Sequence, residues 1–428
     1  NIHNLDISTM SDTEVVLKMY IKYGTKCLDY FNGMFAFVIY NENNGDVFVA
    51  RDRLGIKPLY YANHNGSIIF SSEIAPIQNI VNSDFDDFGI RQYRKFRMTF
   101  KGYTIYKQIK MFDAGNYWLN GKFNRYWDLK VHPNDPPGNE ELKSLIIDSV
   151  RIRKRSDVSV GSYLSGGLDS TILTYLLKPN DTWTVGFDEL NEFKWSDIAD
   201  SNLKSQHHKI KVEKKEFIET LKWMIGKRKE PLSVPNEVLI YLMTLKVKSK
   251  NTVILSGEGA DELFWGYDRI FKWANSSKNL DLKMFEKYYC YGSNNDDEVI
   301  DYALENLPGD KVIDKIGYFF QIYHLHGLLR RLDNSTMLCS VEARVPFVDH
   351  RLVERLGGVP FNWRMGKTFK EPLKKVFKDI IPREIIERPK VGFPVPLENI
   401  FNRSKEKNLK PMDSWLLFNL NELNIDCT

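Results

Sequence analysis

The sequence predicts two units of different class, an antiparallel strand-rich unit over residues 1–130 and an alternating α/β unit over residues 139–428. In the first unit, apolar runs flank tight-turn signals that contain Asn and Gly, which is typical of β-hairpins. In the second, β-like runs alternate with helix-like runs, which is typical of a doubly wound parallel sheet. Residues 131–138 between them are rich in Pro, Asn, Asp and Gly, and this composition indicates a linker.

Composition excludes several broad classes of protein. The net charge of +4 is too small to favour nucleic acid or a membrane surface as a partner. The four cysteines have neither CxxC nor metal-ligand spacing, so a reducing compartment and a cytoplasmic location are expected. Their positions are Cys27, Cys290, Cys339 and Cys427. No apolar stretch reaches membrane-spanning length, although the chain opens on Asn1 and not Met.

Each element of the two units has its own signal. The three hairpin turns of the first unit are expected around residues 41–45, 64–66 and 120–121. Strands of the second unit are predicted at 158–164, 182–187, 207–212 and 251–257. The pattern from about 265 to 380 is mostly helical. Right-handed crossovers would place the carboxyl ends of the four strands, and any ligand, along one edge of the sheet.

The turn after the first of these strands carries chemistry. The run "SGGLDS", residues 165–170, stands between a strand and a helix, where backbone N–H groups and the helix dipole favour an anion. Asp169 would need a cation between itself and a phosphate, and Mg²⁺ is the obvious one. The GxxxxGK[ST] loop is absent. The alternative is a tight turn in which Asp169 only caps the helix, but the full motif favours phosphate.

At this point the chain resembles a known family. "SGGLDS" is similar to the pyrophosphate loop of the ATP pyrophosphatases, and "ILSGEGADELFWGYDR" (254–269) resembles asparagine synthetases. Further matches to the same enzymes lie at 335–354 and 381–397, and matches to their glutaminase domain at 11–20, 32–40 and 50–61. The resemblance implies a partial Ntn-type class II glutaminase domain with antiparallel sheets, then a synthetase unit of ATP-pyrophosphatase type with a helical C-terminal part.

The resemblance also implies the site residues. The expected ATP-binding residues are Leu164, Ser165, Gly166, Gly167, Asp169, Ser170, Val185, Ser256 and Gly257. Asp169 and Asp261 would hold Mg²⁺, Glu258 would act in acid/base chemistry during ammonia attack, and Lys390 would lie over the phosphates. Without the resemblance, Glu258 and Asp261 are first-turn acids that complement the helix dipole, and Lys390 is a solvated loop lysine.

The glutaminase unit lacks its expected nucleophile. The family uses an N-terminal cysteine, whereas Cys27 matches a helix-to-strand stretch and no cysteine precedes it. Asp12 matches the acid that binds the glutamine α-amino group, although an acid at a helix start is equally a cap. A missing upstream segment is favoured over a degenerate, ammonia-dependent domain, because a half-domain would expose unpaired strand edges.

The function implied is glutamine-dependent amide formation with ATP: adenylation of an acceptor carboxylate, most simply L-aspartate, then attack by ammonia. Trp265 stands where the family usually has glycine, and residues 230–243 match only partly, which leaves a sugar uronate or a peptide precursor as alternative acceptors. A catalytically dead scaffold is the alternative of another class. The expected partners are small-molecule substrates. A homodimer is kept as an alternative to a monomer.

No defined catalytic role is assigned to four further residues. His207 and His208 are adjacent in a predicted strand, so they point to opposite faces and are expected to be structural. Arg344 and Asp349 match a patterned stretch of the family, and are assigned to structure or to the substrate side without a defined role.

Overall fold

The computed structural model describes residues 5–292, 295–366, 368–390, 392–393, 395–401 and 409–426. Residues 1–4, Val391, Pro394 and Cys427, which the sequence analysis included in its motifs and cysteine count, lie outside that range. Within it, every helix is too short or too polar to cross a membrane. The other three cysteines are free thiols.

The N-terminal unit contains two antiparallel sheets, as predicted. Its strands are β1 (Ala36–Tyr40), β2 (Val47–Arg51), β3 (Tyr60–His64), β4 (Ser67–Ser71), β5 (Lys110–Met111), β6 (Asn116–Leu119) and β7 (Lys122–Arg125). Their orders are β1-β2-β6-β7 and β4-β3-β5. All three predicted hairpins form, and Asn65 and Asn120 take the left-handed conformation that such turns require. Its helices are α1 (Asp12–Tyr23), α2 (Ile74–Val81) and α3 (Asp87–Phe96).

The C-terminal unit is built on a parallel sheet, which confirms the predicted fold class. Its strands are β8 (Val160–Tyr163), β9 (Asp181–Gly186), β10 (Gln206–Lys211), β11 (Val253–Leu255) and β12 (Glu342–Arg344). The order is β10-β9-β8-β11-β12 with every pair parallel. The chain runs outward from β8 to β10 and then returns to β11 on the other side. The order therefore reverses between β8 and β11, and ligands of such sheets bind at that crevice.

Helices flank the sheet and form most of the C-terminal part. They are α4 (Asn139–Arg153), α5 (Leu168–Leu177), α6 (Phe193–Asp200), α7 (Lys214–Arg228), α8 (Asn236–Val247), α9 (Ala260–Leu263), α10 (Asp268–Ser276), α11 (Leu282–Tyr289), α12 (Asp297–Leu304), α13 (Val312–Phe319), α14 (Leu325–Met337), α15 (His350–Leu356), α16 (Phe361–Met365), α17 (Glu371–Phe377), α18 (Arg383–Glu387), α19 (Leu397–Phe401) and α20 (Pro411–Asn421). A π-helical turn, Phe320–His324, joins α13 to α14.

The region from about 265 to 380 is mostly helical over its described residues, as predicted, and it also contains the short strand β12. β12 has only three residues, but Val341, Ala343 and Val345 are buried and alternate with Glu342 and Arg344. It becomes a strand because the exposed edge of β11 offers it backbone partners. The alternation from 341 to 345 is thus a short strand signal that the sequence analysis did not use.

The two units share a continuous hydrophobic core. Polar bonds also cross between them: the Lys57 ammonium lies 2.8 Å from Asp333 Oδ1, and Asn32 Nδ2 donates to Asp349 Oδ2 at 3.1 Å. Residues 131–138 form neither helix nor strand and lie against α15, where Asn134 Nδ2 donates to the Arg355 carbonyl at 3.0 Å. The position of the domain boundary in this segment stays a prediction.

Candidate active site

A cleft of about 290 Å³ opens at the carboxyl ends of β8 and β11, where the strand order reverses. All of the synthetase-site residues predicted from the sequence except Gly166 line it. They are Leu164, Ser165, Gly167, Asp169, Ser170, Val185, Ser256, Gly257, Glu258, Asp261 and Lys390. These residues come from distant parts of the chain, and the parallel sheet brings them together.

The SGGLDS turn is open toward the cleft. Gly167 precedes α5 and has no side chain with which to cap it, so no capping side chain covers the first-turn N–H groups. Ser165 Oγ accepts from the Gly167 N–H at 3.2 Å and lies 3.1 Å from Ser170 Oγ. The two hydroxyls and the helix N-terminus together form a concave set of donors suited to phosphate oxygens.

Gly166 is the predicted synthetase-site residue that lies outside the cleft lining, and its part in ATP binding stays a prediction. Its φ of +70° is in the region that favours glycine, and a Cβ there would lie 2.3 Å from the backbone of Trp195 on α6. Gly166 therefore permits α6 to pack against the turn, and it lies behind the turn rather than in the lining of the cleft. The sequence motif does not distinguish a glycine needed for packing from one needed for phosphate approach.

Gly257 and Gly266 hold the second turn close to the first. A Cβ on Gly257 would lie 3.2 Å from the Cβ of Asp169, so the two turns meet at that point. A Cβ on Gly266 would lie 1.7 Å from Asp261 Oδ1 and 2.8 Å from Lys390 Nζ. Any side chain at Gly266 would therefore displace the contact between Asp261 and Lys390.

Lys370 bridges the two aspartates predicted to hold metal, and Lys390 pairs with one of them. Lys370 Nζ lies 2.5 Å from Asp169 Oδ2 and 2.7 Å from Asp261 Oδ1, and its side chain is 6% exposed. Lys390 Nζ lies 2.5 Å from the same Asp261 oxygen and donates to the Gly266 carbonyl at 2.7 Å. The sequence analysis missed Lys370, which is surrounded by other lysines between 367 and 378 and has no motif that separates it from a solvated lysine.

The aspartates differ in their electrostatics. Burial raises the pKa of Asp169, and Lys370 only partly offsets that effect. Burial would also raise the pKa of Asp261, but the ammonium groups of Lys370 and Lys390 outweigh it and hold that pKa well below its ordinary value. Lys370 responds in turn: burial opposes its charge, yet Asp169 and Asp261 raise its pKa above the usual range. The site is thus a compact cluster of alternating charges.

Glu258 is oriented by a buried arginine that the sequence analysis did not single out. Arg331, on α14, forms an ion pair with Glu258 through Nη2, and its Nη1 donates to Asn236 Oδ1 at 3.1 Å. Arg331 is 7% exposed, whereas the Glu258 side chain is 20% exposed toward the cleft. The arginine therefore fixes a carboxylate that stays accessible to a ligand. The only sequence signal available was a pair of arginines, Arg330 and Arg331, within a helix that carries other polar residues as well.

Arg388 clamps the SGGLDS turn from the side. Its guanidinium pairs with Glu192, donates to the Ser165 carbonyl at 3.3 Å and lies 4.8 Å from the ring centroid of Trp195. Burial raises the pKa of Glu192, and the positive charge of Arg388 offsets part of that rise. Arg388 belongs to the same "RPK" motif as Lys390, so the motif contributes two cations to the cleft.

Trp265 packs away from the cleft. Its ring is buried, stacks on Phe271 with centroids 4.8 Å apart and lies 4.5 Å from the Arg364 guanidinium. It is not among the described residues that line the cleft. The ring therefore does not line the cleft directly, and an effect of Trp265 on the acceptor pocket stays a prediction. Its φ of +51° explains instead why glycine suits the position.

Asp12 lies apart from this cleft. It begins α1 and lines a second cavity of about 470 Å³ between the two units, with Lys57, Arg228, Glu230 and Asp333. The cavity is therefore enclosed by N-terminal residues on one side and by synthetase-unit residues on the other. Its lining combines these charged side chains with apolar ones such as Met34 and Phe37.

The histidines of β10 contact their surroundings on opposite sides, as predicted. His207 bonds to Thr182 at 2.9 Å and to Ser196 at 2.9 Å, whereas His208 stacks on the Trp183 ring with centroids 4.0 Å apart. Both are therefore held within the sheet packing and lie away from the cleft lining.

Arg344 and Asp349 hold backbone and other side chains. Arg344 Nη1 donates to the carbonyl of Arg153 at 2.8 Å, and Asp349 Oδ2 lies 2.9 Å from Arg153 Nη1 and 2.9 Å from Arg351 Nη2. Burial opposes the charge of Asp349, but its bonds to the two arginines and to Asn32 keep its pKa below the ordinary value. These contacts assign both residues to structure.

The donor set fits magnesium held partly by substrate oxygens. Asp169 Oδ1 is buried and accepts no hydrogen bond, although Oδ2 of the same carboxylate is paired. Within the described ranges, no group of three or more His, Cys, Asp or Glu side chains could hold a metal by themselves. Two carboxylates completed by phosphate oxygens and water are the usual arrangement for Mg²⁺.

Comparison with known proteins matches this architecture. The glutamine amidotransferase domain model matches residues 2–127, and the asparagine synthase model matches residues 141–416. Asparagine synthetase [glutamine-hydrolyzing] 3 of Bacillus subtilis is 28% identical over 439 residues, which cover 90% of this chain and 70% of that protein. A putative asparagine synthetase [glutamine-hydrolyzing] 2 of Methanocaldococcus jannaschii is 34% identical over 291 residues, covering 62% and 55%.

A relative that is not named a synthetase also matches most of this chain. Amidase chry2 of Gibberella zeae is 24% identical over 508 residues, which cover 95% of this chain and 73% of that protein. The asparagine synthase model covers well over half of the chain, and its match contains every residue that lines the cleft. The chain therefore belongs to the asparagine synthase family, with a glutamine amidotransferase domain ahead of the synthase part.

Proposed function

We propose that the chain forms an amide bond with ATP, using ammonia from glutamine to convert an acceptor carboxylate. One observation carries the proposal: the cleft at the reversal of strand order brings together a phosphate-type turn, two aspartates, two lysines and an oriented glutamate. This combination supplies donors for phosphate oxygens, compensation for developing negative charge and a proton acceptor. A binding protein without chemistry would not need all three.

In the first step, a carboxylate oxygen of the acceptor attacks the α-phosphorus of ATP, and pyrophosphate leaves. The Ser165 and Ser170 hydroxyls and the N-terminus of α5 bind phosphate oxygens of the nucleotide. Lys390 and Lys370 stabilise the negative charge that develops on the departing pyrophosphate. Asp169 and Asp261 would hold Mg²⁺, which when bound neutralises phosphate charge.

In the second step, ammonia attacks the acyl carbon of the adenylate and AMP leaves. The attacking nitrogen must lose a proton as the amide forms, and we assign its acceptance to Glu258. Arg331 keeps that carboxylate in one orientation, which shortens the search for a productive geometry. Val185 and Leu164 would contact the base or ribose from the strand ends.

The N-terminal unit would supply the ammonia. Asp12 would bind the α-amino group of glutamine, and its place in the second cavity supports that role. Aspartate is the acceptor we propose, in line with the names of the similar synthetases. Trp265 no longer favours a sugar uronate or a peptide precursor, because its ring packs away from the cleft. A cytoplasmic location and a homodimer stay predictions.

The test measures AMP and pyrophosphate release from MgATP with L-aspartate, and with either ammonium chloride or glutamine as nitrogen donor. Release of both products requires the intact cleft, so Asp169→Ala and Lys390→Ala are expected to abolish it. Asp188→Ala and Lys215→Ala remove exposed charges outside the cleft lining and serve as matched controls. Products in the form of ADP and phosphate would contradict adenylation, and no release with aspartate would contradict that acceptor.

A further inference from the structure

Lys390 depends on its surroundings for its position. It lies in a loop without regular structure, and its side chain is 31% exposed. Besides Asp261 and the Gly266 carbonyl, the ammonium contacts the ring of Tyr267, with Nζ 4.5 Å from the ring centroid. That distance is within the range of a cation–π interaction. The ring thus forms one wall of the position that the ammonium occupies.

Tyr267 is itself held by a chain of buried polar groups. Its hydroxyl donates to Glu262 Oε1 at 2.5 Å and lies 3.3 Å from His324 Nε2, whose Nδ1 lies 2.6 Å from the Tyr289 hydroxyl. Glu262 is 1% exposed and His324 is in the π-helical turn Phe320–His324, a distortion frequent at functional sites. Glu262, His324 and Tyr289 all lie outside the cleft lining.

The protonation states and packing of these buried groups keep the Tyr267 ring in one orientation. Burial raises the pKa of Tyr267, so the phenol stays protonated and donates to Glu262. Burial lowers the pKa of His324 to about 3, so the imidazole is neutral and can accept or donate only one hydrogen bond at each nitrogen. Tyr267 also packs against the Phe320 ring, with centroids 5.1 Å apart. Its hydroxyl end is therefore fixed while its face stays turned to Lys390.

We infer that Tyr267 is a positioning residue for Lys390 that acts through the face of its ring, and that the packing of this ring on Phe320 behind the cleft is enough to hold it when the hydroxyl is removed. The ring restricts the position of the Lys390 ammonium when the Asp261 carboxylate binds another ligand. It can do so because a metal ion or a phosphate does not compete for the face of the ring. The inference rests on the proposed function in one respect, the action of Lys390 on the phosphates. The contact itself can be tested without turnover.

The first measurement is the position of the Lys390 ammonium in solution. Reductive methylation with ¹³C-formaldehyde labels the lysines of the intact chain, and the Lys390→Ala variant identifies the resonance of Lys390. The expected result is an upfield ring-current shift that Tyr267→Phe retains and Tyr267→Leu loses. A Lys390 resonance that is the same in Tyr267→Leu as in the wild-type chain would overturn the inference.

The second measurement is pyrophosphate release with MgATP, L-aspartate and ammonium chloride. Tyr267→Leu is expected to lower kcat about tenfold, the usual size of a partly desolvated cation–π contact, with little change in KM for ATP. Tyr267→Phe keeps the ring and should restore most of the rate. Tyr302→Leu is the matched control, because it removes a similar contact, 4.6 Å from Lys101 Nζ, outside the cleft lining.

The outcomes distinguish the proposed role of Lys390 in catalysis from the positioning role of Tyr267. If Lys390→Ala keeps the wild-type rate, the proposed role of Lys390 in catalysis fails whatever Tyr267 does. If Lys390→Ala is inactive while Tyr267→Leu is within twofold of the wild type, only the positioning inference fails. Equal losses in Tyr267→Phe and Tyr267→Leu would also overturn it, because the ring alone is argued to act on Lys390.

Discussion

Removing the Lys370 ammonium should destabilise the synthetase unit by leaving a partly buried carboxylate, that of Asp169, without its partner. In Lys370→Met, Asp169 loses the bond of 2.5 Å to Nζ, and its other oxygen already has no hydrogen-bond partner. Asp261 keeps Lys390 at 2.5 Å, so only one carboxylate is orphaned. Breaking a buried ion pair costs about 3–5 kcal/mol, and the remaining lysine places this variant near the lower end, about 3 kcal/mol.

Thermal unfolding followed by circular dichroism checks this value. About 3 kcal/mol corresponds to a fall of about 5 °C in Tm for a unit of this size, since the unfolding entropy is about 2.1 cal/mol/K per residue. Lys375→Met is the matched control, since it removes an exposed ion pair with Glu371 on the same helix, and it should change stability by about 0.5 kcal/mol or less.

A double variant separates electrostatics from packing. Asp169→Asn combined with Lys370→Met removes the orphaned charge, so it should be about 1–3 kcal/mol more stable than the sum of the single changes. If the two changes are additive, the ammonium does not compensate Asp169, and the account of a charge cluster is wrong. A Lys370→Met variant as stable as the wild type would refute it more directly.

Three further predictions follow from particular contacts. Gly266→Ala should lower pyrophosphate release about 100-fold with little change in Tm, because its Cβ would displace Asp261 from Lys390; an unchanged rate would contradict the contact. Trp265→Gly should lower stability by about 3 kcal/mol through lost ring packing but leave KM for the acceptor unchanged, as steady-state kinetics would show. The pKa of Asp349 is depressed in the folded chain, so its stabilising effect is present above about pH 4 and is lost as pH falls; the Tm difference between wild type and Asp349→Asn should therefore shrink from pH 6 to pH 3.

Short-range patterns were sufficient for the fold class and for the central motif of the site. The helix from Leu168 to Leu177 has the bounds that its apolar spacing predicts, since local periodicity and a glycine start signal act on the same few residues. The three hairpins follow from turn residues that accept a left-handed backbone. The SGGLDS and SGEGADE runs stand at strand ends, and the parallel sheet then brings them to one edge.

Tertiary structure decided what each side chain of the site contacts. Lys370, Arg331 and Arg388 come from distant helices and loops, and no local pattern distinguishes them from solvated basic residues until packing buries them beside acids. The same holds for Gly166 and Trp265, whose neighbours decide that one serves packing and the other faces away from the cleft. Local sequence determined which groups form turns and helices, whereas long-range packing determined the charges that surround them, because electrostatic partners depend on distance in space and not along the chain.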